Sequence, residues 1–331
     1  MWPRFLLAAA VVAAPIGTLA QTPAKPAALQ LGSTPWSPFT NAPDKPRFAI
    51  DLVHAALKRL GISVETTIVA EGTLTRALLD KRFHGSPALW RDPEREKTLV
   101  YSKPYLENRL VLVARHGDDV SAPALPALAG KRIALVDGFA YGDELKSPKG
   151  PTYVAAATVE ESLEKVLAGQ ADYALLDDLV VQFLLTNYPE QVKTRLAIGT
   201  TPLIVRTLHF ALRRELPYAR SIVDQFDAEL VKMIADRSYH RLLQLGWIQA
   251  DADGDGRTEW VPASDQAGQD PPVRRYELVT VTAPKPEGKL RFYLGGKVYE
   301  GWTEVPERYK VLDKNRTAYG SQIAPIFTFK W

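Results

Sequence analysis

Hydrophobic residues recur along this chain with two different spacings. In residues 48–61 and 217–234 they recur every three or four positions, which predicts amphipathic helices. In residues 64–69, 109–115 and 131–136 they form short apolar or alternating runs, which predict β-strands. Strands and helices therefore alternate along most of the chain, and we predict an α/β fold.

Caps and glycines bound several further elements. Thr73 is placed to cap a helix that runs to Arg82, and Thr158 with Glu161 forms a capping box before a helix that ends near Ala168. The other predicted strands are residues 29–32, 170–178, 196–198 and 207–212, and the other predicted helices are residues 179–187 and 239–247.

The composition limits the size and the class of the protein. A chain of 331 residues, 46% of them hydrophobic, can form about two domains, because a single core usually stops growing near 250–300 residues. The net charge of +3 is too small to indicate nucleic-acid binding. With no cysteine, the chain has no disulfide, no thiol nucleophile and no cysteine-based zinc site.

Residues 1–20 have the features of a secretory signal peptide. Arg4 provides the positive start, residues 5–16 form the apolar run, and Thr18-Leu19-Ala20 is a small-residue cleavage site. The apolar run is too short to cross a membrane as a permanent helix. Export of a chain without cysteine predicts a soluble protein of the bacterial periplasm, and we expect a monomer.

An arginine-rich turn that leads into an aromatic strand end is the strongest candidate for a binding site. Residues 90–97 read Trp-Arg-Asp-Pro-Glu-Arg-Glu-Lys, and residues 101–105 read Tyr-Ser-Lys-Pro-Tyr. The guanidinium of Arg95 offers a planar fork of donors that a carboxylate can accept at two points. Taken alone, Arg91, Arg95 and Lys97 are equally consistent with a solvated charged turn.

The order Pro-Glu-Arg-x-Lys and then aromatic-Ser-x-Pro-Tyr resembles the signature of the bacterial extracellular solute-binding proteins of family 3, the polar amino-acid type. The resemblance extends over residues 28–248. It implies the two-lobed type 2 periplasmic-binding-protein fold, with lobe 1 formed by residues 28–113 and 206–248 and lobe 2 by residues 114–205. It also implies that Arg95 binds the carboxylate of a small ligand between the lobes.

The same resemblance assigns further contacts to aromatic and glycine positions. Trp36 stands where the family has an aromatic residue that packs on the ligand, although Trp36 and Phe39 are also suited to fixing their loop to the core. Trp90 stands where the family often has a small or hydroxylated residue, so it should reshape the pocket. Where the family often has Gly-Thr, this chain has Gly138 and Phe139. Backbone N–H groups near Gly138 can still bind a carboxylate, but the expected hydroxyl is replaced.

Two adjacent acids end the predicted strand 170–178. By position, the resemblance implies that Asp177 binds the ammonium group of an amino-acid ligand. Adjacent carboxylates at this point are also suited to capping the helix that follows. We predict that Asp178 caps the helix and that Asp177 contacts the ligand.

An acidic loop follows the region of resemblance. Its charged residues occupy alternate positions around a glycine turn, and they are Asp251, Asp253, Asp255, Arg257 and Glu259. The spacing resembles the first half of a calcium loop, in which several oxygens surround a hard cation. Position 12 of such a loop is Pro262, so a bidentate ligand must come from elsewhere, such as Asp265, or be missing. A calcium site and an acidic linker are the two alternatives.

The end of the chain resembles no family that we identify. Residues 249–272 form the acidic loop and a linker, and we predict that residues 273–331 form a small β-rich appendage. Its β-like runs are residues 277–283, 290–299 and 323–331.

The leading hypothesis is a periplasmic solute-binding protein whose lobes close over a small carboxylated, amino-acid-like or aromatic ligand. The resemblance implies an inner-membrane ABC permease or a sensor as partner, and it requires no cofactor. One alternative is an accessory or adaptor protein that docks another periplasmic protein. The other is a dehydratase-like enzyme on the same fold, for which Glu94, His84 and Asp177 are the candidate acids or bases.

Overall fold

The structure is a computed structural model that describes residues 28–70, 72–146, 149–243, 245–269, 278–279 and 290–311. The predicted signal peptide and the predicted β run at 323–331 lie outside these residues, as does most of the run at 277–283. Within the described ranges, no helix is both long enough and apolar enough to span a membrane.

Strands and helices alternate through the first two thirds of the chain, and short strands dominate the rest. The strands are β1 (Ala28–Ser33), β2 (Ser63–Ile68), β3 (Gly85–Trp90), β4 (Leu99–Tyr101), β5 (Leu106–Arg115), β6 (Arg132–Val136), β7 (Thr152–Ala156), β8 (Tyr173–Asp177), β9 (Leu196–Ile198), β10 (Ile204–Arg213), β11 (Trp247–Ala250), β12 (Glu259–Pro262), β13 (Leu278–Val279), β14 (Phe292–Leu294) and β15 (Lys297–Tyr299). The α-helices are α1 (Phe48–Arg59), α2 (Leu74–Leu79), α3 (Pro93–Glu96), α4 (Val159–Leu167), α5 (Asp178–Asn187), α6 (Pro189–Arg195), α7 (Ala219–Ala235) and α8 (Ser238–Leu243). Short 3-10 helices are Leu125–Leu128, Asp143–Lys146, Trp302–Glu304 and Glu307–Tyr309.

Two long strands join two parallel half-sheets into one ten-stranded sheet. Its main path is β2-β1-β3-β10-β5-β8-β6-β7, with β4 paired to β10 and β9 paired to β5. β1 runs parallel to β2 and β3, and β6 runs parallel to β7 and β8. β5 and β10 are antiparallel to each other in the middle of this path. Two lobes connected by two crossing strands are the fold that the resemblance implies, and that prediction is confirmed.

The strand β3 escaped the sequence analysis because glycine and proline interrupt it. Gly85 leaves room for the neighbouring strand, since a Cβ atom there would lie 2.0 Å from the Ala211 carbonyl oxygen. Pro87 has no N–H group to donate to a neighbouring strand. The register between β3 and β10 shifts opposite this segment, between His209 and Ala211. The shift accommodates the proline in a strand whose six residues are all buried.

Two predicted helices are shorter in the structure. The helix expected from Thr73 to Arg82 is α2, and the Thr73 side chain donates to the Ala70 carbonyl oxygen at 2.6 Å instead of capping it. The helix expected over residues 239–247 ends at Leu243, and Trp247 begins β11. By contrast, Thr158 caps its helix as predicted, with the Glu161 N–H donating to the Thr158 hydroxyl at 3.1 Å, and the Glu161 carboxylate accepts the N–H of Ala157 rather than that of Thr158.

The C-terminal part forms a second sheet with its own small core. The strand order is β13-β11-β12-β14-β15. The core residues of this sheet are Trp247, Trp260, Ala267, Phe292, Leu294 and Val305. The sheet is fixed to the first lobe, because His240 of α8 hydrogen bonds to the Val261 carbonyl oxygen at 3.0 Å and Arg237 pairs with Asp265 at 3.0 Å.

Candidate functional site

A cavity of about 270 Å³ lies between the two lobes. Residues from lobe 1 form most of its wall, and the turn after β6 in lobe 2 closes it. The lining residues are Thr34, Trp36, Gly72, Leu74, Thr75, Ala88, Leu89, Trp90, Arg95, Gly138, Phe139 and Ala140. The structure thus brings together five of the six residues predicted to contact a ligand, and it places the sixth, Asp177, outside this lining.

Local capping determines where Arg95 stands. Asp92 is the N-cap of α3, and its carboxylate accepts from the N–H groups of Glu94 at 3.0 Å and Arg95 at 3.1 Å. Pro93 occupies the first turn, where its missing N–H costs no hydrogen bond. A single helical turn beginning directly after β3 therefore carries Arg95 to the cavity.

Two of the three cations in this turn form ion pairs with acids of the same turn. Arg91 pairs with Glu96 at 2.8 Å, and Lys97 pairs with Glu94 at 2.6 Å. Within the part of the chain that the structure describes, the guanidinium of Arg95 forms no hydrogen bond or ion pair, although it is partly buried and lines the cavity. The interpretation as a solvated charged turn suits Arg91 and Lys97, whereas the donors of Arg95 have no acceptor among the described residues.

Aromatic rings from both lobes meet across the cavity. The ring centroid of Trp36 in lobe 1 lies 5.2 Å from that of Phe139 in lobe 2 and 5.2 Å from that of Trp90. The ring centroids of Trp90 and Phe139 are 5.7 Å apart. These edge-to-face arrangements are favourable for aromatic pairs. Trp36 also packs on the fully buried Phe39, with ring centroids 4.4 Å apart. Trp36 therefore both fixes its loop and lines the cavity.

Trp90 is held by two residues that the sequence analysis missed. Its indole N–H donates to the Asn108 side-chain oxygen at 2.7 Å, and Tyr141 packs edge-on against its ring at 5.7 Å. Asn108 is fully buried on β5, on the same face as Leu106 and Leu110. The sequence feature that could have identified Asn108 is a single amide side chain at an apolar position of an alternating strand. Thr34 and Thr75 were also missed, and no sequence pattern distinguishes them from other surface threonines.

The paired acids take a different arrangement from the one predicted. Asp177, not Asp178, is the N-cap of α5, and its carboxylate accepts from the Leu179 N–H at 2.8 Å. The prediction that Asp178 caps the helix is wrong, because α5 begins one residue earlier than expected and Asp178 is its first residue. Asp178 instead lies 3.7 Å from Arg109.

Burial dominates the electrostatics of this pair. It raises the pKa of Asp178 to about 7, with Glu107 adding to the rise and Arg109 opposing it. Burial, with a further contribution from Asp178, raises the pKa of Asp177 well above its usual range. One carboxylate oxygen of each acid is buried without a hydrogen bond, so both are held where ionisation is costly.

Two glycines, one from each lobe, face each other across the cavity. Gly138 has a φ of +77°, and a Cβ atom there would lie 3.3 Å from the Gly72 nitrogen across the cavity. Only glycine adopts this conformation without strain while allowing so close a backbone approach.

We expect Gly138→Ala to weaken ligand binding by obstructing the approach of the lobes, and to cost roughly 1–2 kcal/mol of folding stability through backbone strain. Calorimetric titration of the variant measures the loss. Gly130→Ala is the matched control, because Gly130 has a φ of +78° and a Cβ atom added there would have no heavy atom within 4 Å. Equal effects of the two substitutions would mean that lobe approach at Gly138 is irrelevant to binding.

The acidic loop contains both carboxylates and a guanidinium group. Asp251, Asp253 and Glu259 place carboxylate oxygens within 4.8 Å of one another, a set that can hold a metal ion. The guanidinium of Arg291 enters the same loop, 2.7 Å from Glu259 and 2.8 Å from Asp255. Calcium therefore stays a proposal for this loop, in competition with a cation that the chain itself contributes.

Ion pairs and hydrogen bonds within the protein engage several residues of the predicted calcium site. Arg257 lies 3.5 Å from Glu300 on the surface. Asp265, suggested as a distant ligand, pairs with Arg237 instead. Asp251 accepts the N–H groups of Gly254 at 2.7 Å and Gly256 at 3.0 Å, which fixes the turn.

The candidate acids and bases for an enzyme do not meet in the cavity. Glu94 pairs with Lys97, and a ring nitrogen of His84 accepts the Gln30 N–H at 2.8 Å. Neither residue lines the cavity, and the described lining contains no carboxylate and no histidine. General acid or base catalysis requires such a group within reach of a bound molecule.

Comparison with known families supports the fold and its class. The family model of the bacterial extracellular solute-binding proteins, family 3, matches residues 30–249. Among curated proteins, the chain is similar to the membrane-bound lytic murein transglycosylase F of Maricaulis maris (strain MCS10), with 28% identity over 165 residues. That match covers 47% of this chain and 36% of the relative, so the chain spans about a third of the relative's length.

Solved structures share the two-lobed architecture. The GluR0 ligand-binding core from Nostoc punctiforme in complex with L-glutamate has a TM-score of 0.55 at 21% identity, covering 65% of this chain and 96% of that chain. The P235GK mutant of ArgBP from T. maritima has a TM-score of 0.54 at 21% identity, covering 66% and 94%. AbpA from Streptococcus pneumoniae, bound to L-arginine, has a TM-score of 0.55 at 16% identity, covering 66% and 93%. At these identities the likeness establishes the fold.

Proposed function

The chain belongs to the bacterial extracellular solute-binding proteins, family 3, and on that basis we propose that it captures a small carboxylated molecule between its two lobes. Arg95 binds the carboxylate, and the rings of Trp36, Trp90 and Phe139 pack against the rest of the ligand. Backbone N–H groups at Gly138 add donors from the second lobe. Capture brings the lobes together, which is the hinge closure of two-lobed binding proteins.

The observation that carries this proposal is that the guanidinium of Arg95 lines the cavity and pairs with none of the residues that the structure describes. Its neighbours Arg91 and Lys97 are both neutralised within their own turn. A partly buried cation with no counter-charge among the described residues favours an anionic ligand, and guanidinium geometry favours a carboxylate. The similar proteins GluR0 and AbpA, which are described with L-glutamate and L-arginine, also bind molecules that carry a carboxylate.

We propose that the protein is exported to the periplasm and acts there as a monomer. Its partner would be an inner-membrane ABC permease, or a sensor or other periplasmic protein, that recognises the closed form. The second sheet, β11 to β15, favours one second candidate, an accessory protein that docks a partner through this appendage. Such a protein would not need a ligand in the cavity.

A thermal-shift panel tests the proposal. It compares small carboxylates with their primary amides, which keep the shape of the ligand and remove its charge. A carboxylate at about 100 times its Kd adds about 2.7 kcal/mol to the free energy of unfolding, and its amide should add far less. If no carboxylate raises the melting temperature, capture of a carboxylate is excluded and the accessory role becomes the better account.

A further inference from the structure

The described wall of the cavity between the lobes holds one charged side chain and is otherwise neutral. Of the described residues that line it, Arg95 alone carries a charge, and Thr34 and Thr75 add neutral hydroxyls. The remaining lining residues are aromatic, aliphatic or glycine. A carboxylate bound here gains a counter-charge. An ammonium group on the same ligand would be buried close to a cation, with no anion among the described lining residues to balance it, which is unfavourable.

The acid that would bind an ammonium group is engaged elsewhere. Asp177 is 2% exposed and caps α5 through the Leu179 N–H. Burial and the neighbouring Asp178 raise its pKa well above its usual range, so its ionised form is disfavoured in this environment. Asp178, in turn, is 3.7 Å from Arg109.

Trp90 separates this acid from the cavity. The indole lines the cavity and donates to Asn108 on β5, the strand in which Leu110 pairs with Asp177. Trp90 is only 5% exposed and is packed against Trp36, Phe139 and Tyr141. Neither Asn108 nor Asp177 belongs to the described lining, and the Asn108 side-chain oxygen accepts the indole N–H of Trp90.

We infer that this site selects an apolar monocarboxylate without an ammonium group, such as an arylalkanoate, over the corresponding α-amino acid. The inference rests on the proposed function and specifies its ligand class. A cavity of about 150 Å³ accommodates benzene, so one of about 270 Å³ has room for an aromatic ring and a short acid chain. The aromatic wall matches such a ring, and Arg95 matches its single charge.

Two matched ligand pairs test the inference by calorimetric titration of the full chain. The first pair is 3-phenylpropanoate and L-phenylalanine, and the second is indole-3-propanoate and L-tryptophan. Each pair differs only by the α-ammonium group. We expect at least one of the two arylalkanoates to bind, and to bind at least about 30-fold more tightly than its amino acid, because the described lining offers no anion for the ammonium group that only the amino acid carries.

The variant Asp177→Asn tests whether Asp177 binds an ammonium group of the ligand or only caps α5. Asparagine retains the helix cap, so the variant should fold, and we expect the ratio of the two affinities to remain within about 2-fold of the wild-type ratio. An amino acid that binds as tightly as its arylalkanoate, and is weakened by Asp177→Asn, overturns the inference and leaves the proposed function standing. Absence of binding by both arylalkanoates also overturns it. The proposed function fails only if the whole carboxylate panel fails as well.

Discussion

Replacing Arg95 by glutamine is expected to reduce the affinity for a carboxylate ligand at least about 30-fold. Loss of one partner of a buried, hydrogen-bonded charge pair costs about 2–5 kcal/mol, and each 1.4 kcal/mol is a factor of about ten in Kd. Glutamine keeps part of the side chain's length and its ability to donate a hydrogen bond but removes the charge. Calorimetric titration of the best ligand from the carboxylate panel measures the change.

Arg91→Gln is the matched control for this substitution. Arg91 belongs to the same turn, but it is paired with Glu96 and is absent from the cavity lining. Exposed ion pairs contribute little, so we expect Arg91→Gln to change the affinity by less than about 3-fold. An equal loss in both variants would show that the turn acts through its total charge rather than through a direct contact of Arg95.

Replacing Arg291 by methionine is expected to destabilise the second sheet by about 3 kcal/mol. The guanidinium is 6% exposed and pairs with the fully buried Glu259 at 2.7 Å, as well as with Asp255 and Glu300. Its removal leaves the buried carboxylate uncompensated, which costs about 3–5 kcal/mol for a fully enclosed pair. We expect the lower end, since Asp255 and Glu300 face solvent. Urea unfolding followed by tryptophan fluorescence measures the loss.

A calcium titration of the two proteins shows whether the acidic loop binds calcium or is neutralised by Arg291. We expect calcium at about 10⁻³ M, in the range of extracellular calcium modules, to stabilise Arg291→Met and to leave the wild type nearly unchanged. Arg257→Met is the matched control, because its pair with Glu300 is exposed. If calcium stabilises the wild type as strongly as the variant, and protects the segment near Asp251 from proteolysis, the loop is a calcium site in the native protein.

Much of the two-lobed body was predictable because its elements follow local rules. The apolar periodicity of α1 and α7 and the capping box at Thr158 are local patterns, and each produced the expected helix. The charged turn at Arg95 was recognisable from its motif and the strand end that follows. Four of the cavity's aromatic and glycine residues were also identified from motif positions, and these are Trp36, Trp90, Gly138 and Phe139.

The rest depended on contacts between distant segments. Which of three neighbouring cations stays unpaired is decided by side-chain geometry in α3, and no pattern in residues 90–97 shows it. The role of Asn108 depends on the indole of Trp90 on another strand. The position of Arg291 in the acidic loop depends on a contact with Asp255, from which it is 36 residues distant in sequence. Trp247 was predicted to end a helix, but it begins β11. The strands that pair with β11 lie further along the chain, so no pattern near Trp247 indicates a strand there.

The most direct test of the account is a crystal structure with the carboxylate that gives the largest thermal shift. We expect the ligand to lie between the lobes, with both carboxylate oxygens about 3 Å from the Arg95 guanidinium. Its apolar part should pack against Trp36 and Phe139. A ligand bound elsewhere on the protein, or one in the cavity with its carboxylate directed away from Arg95, would contradict the account.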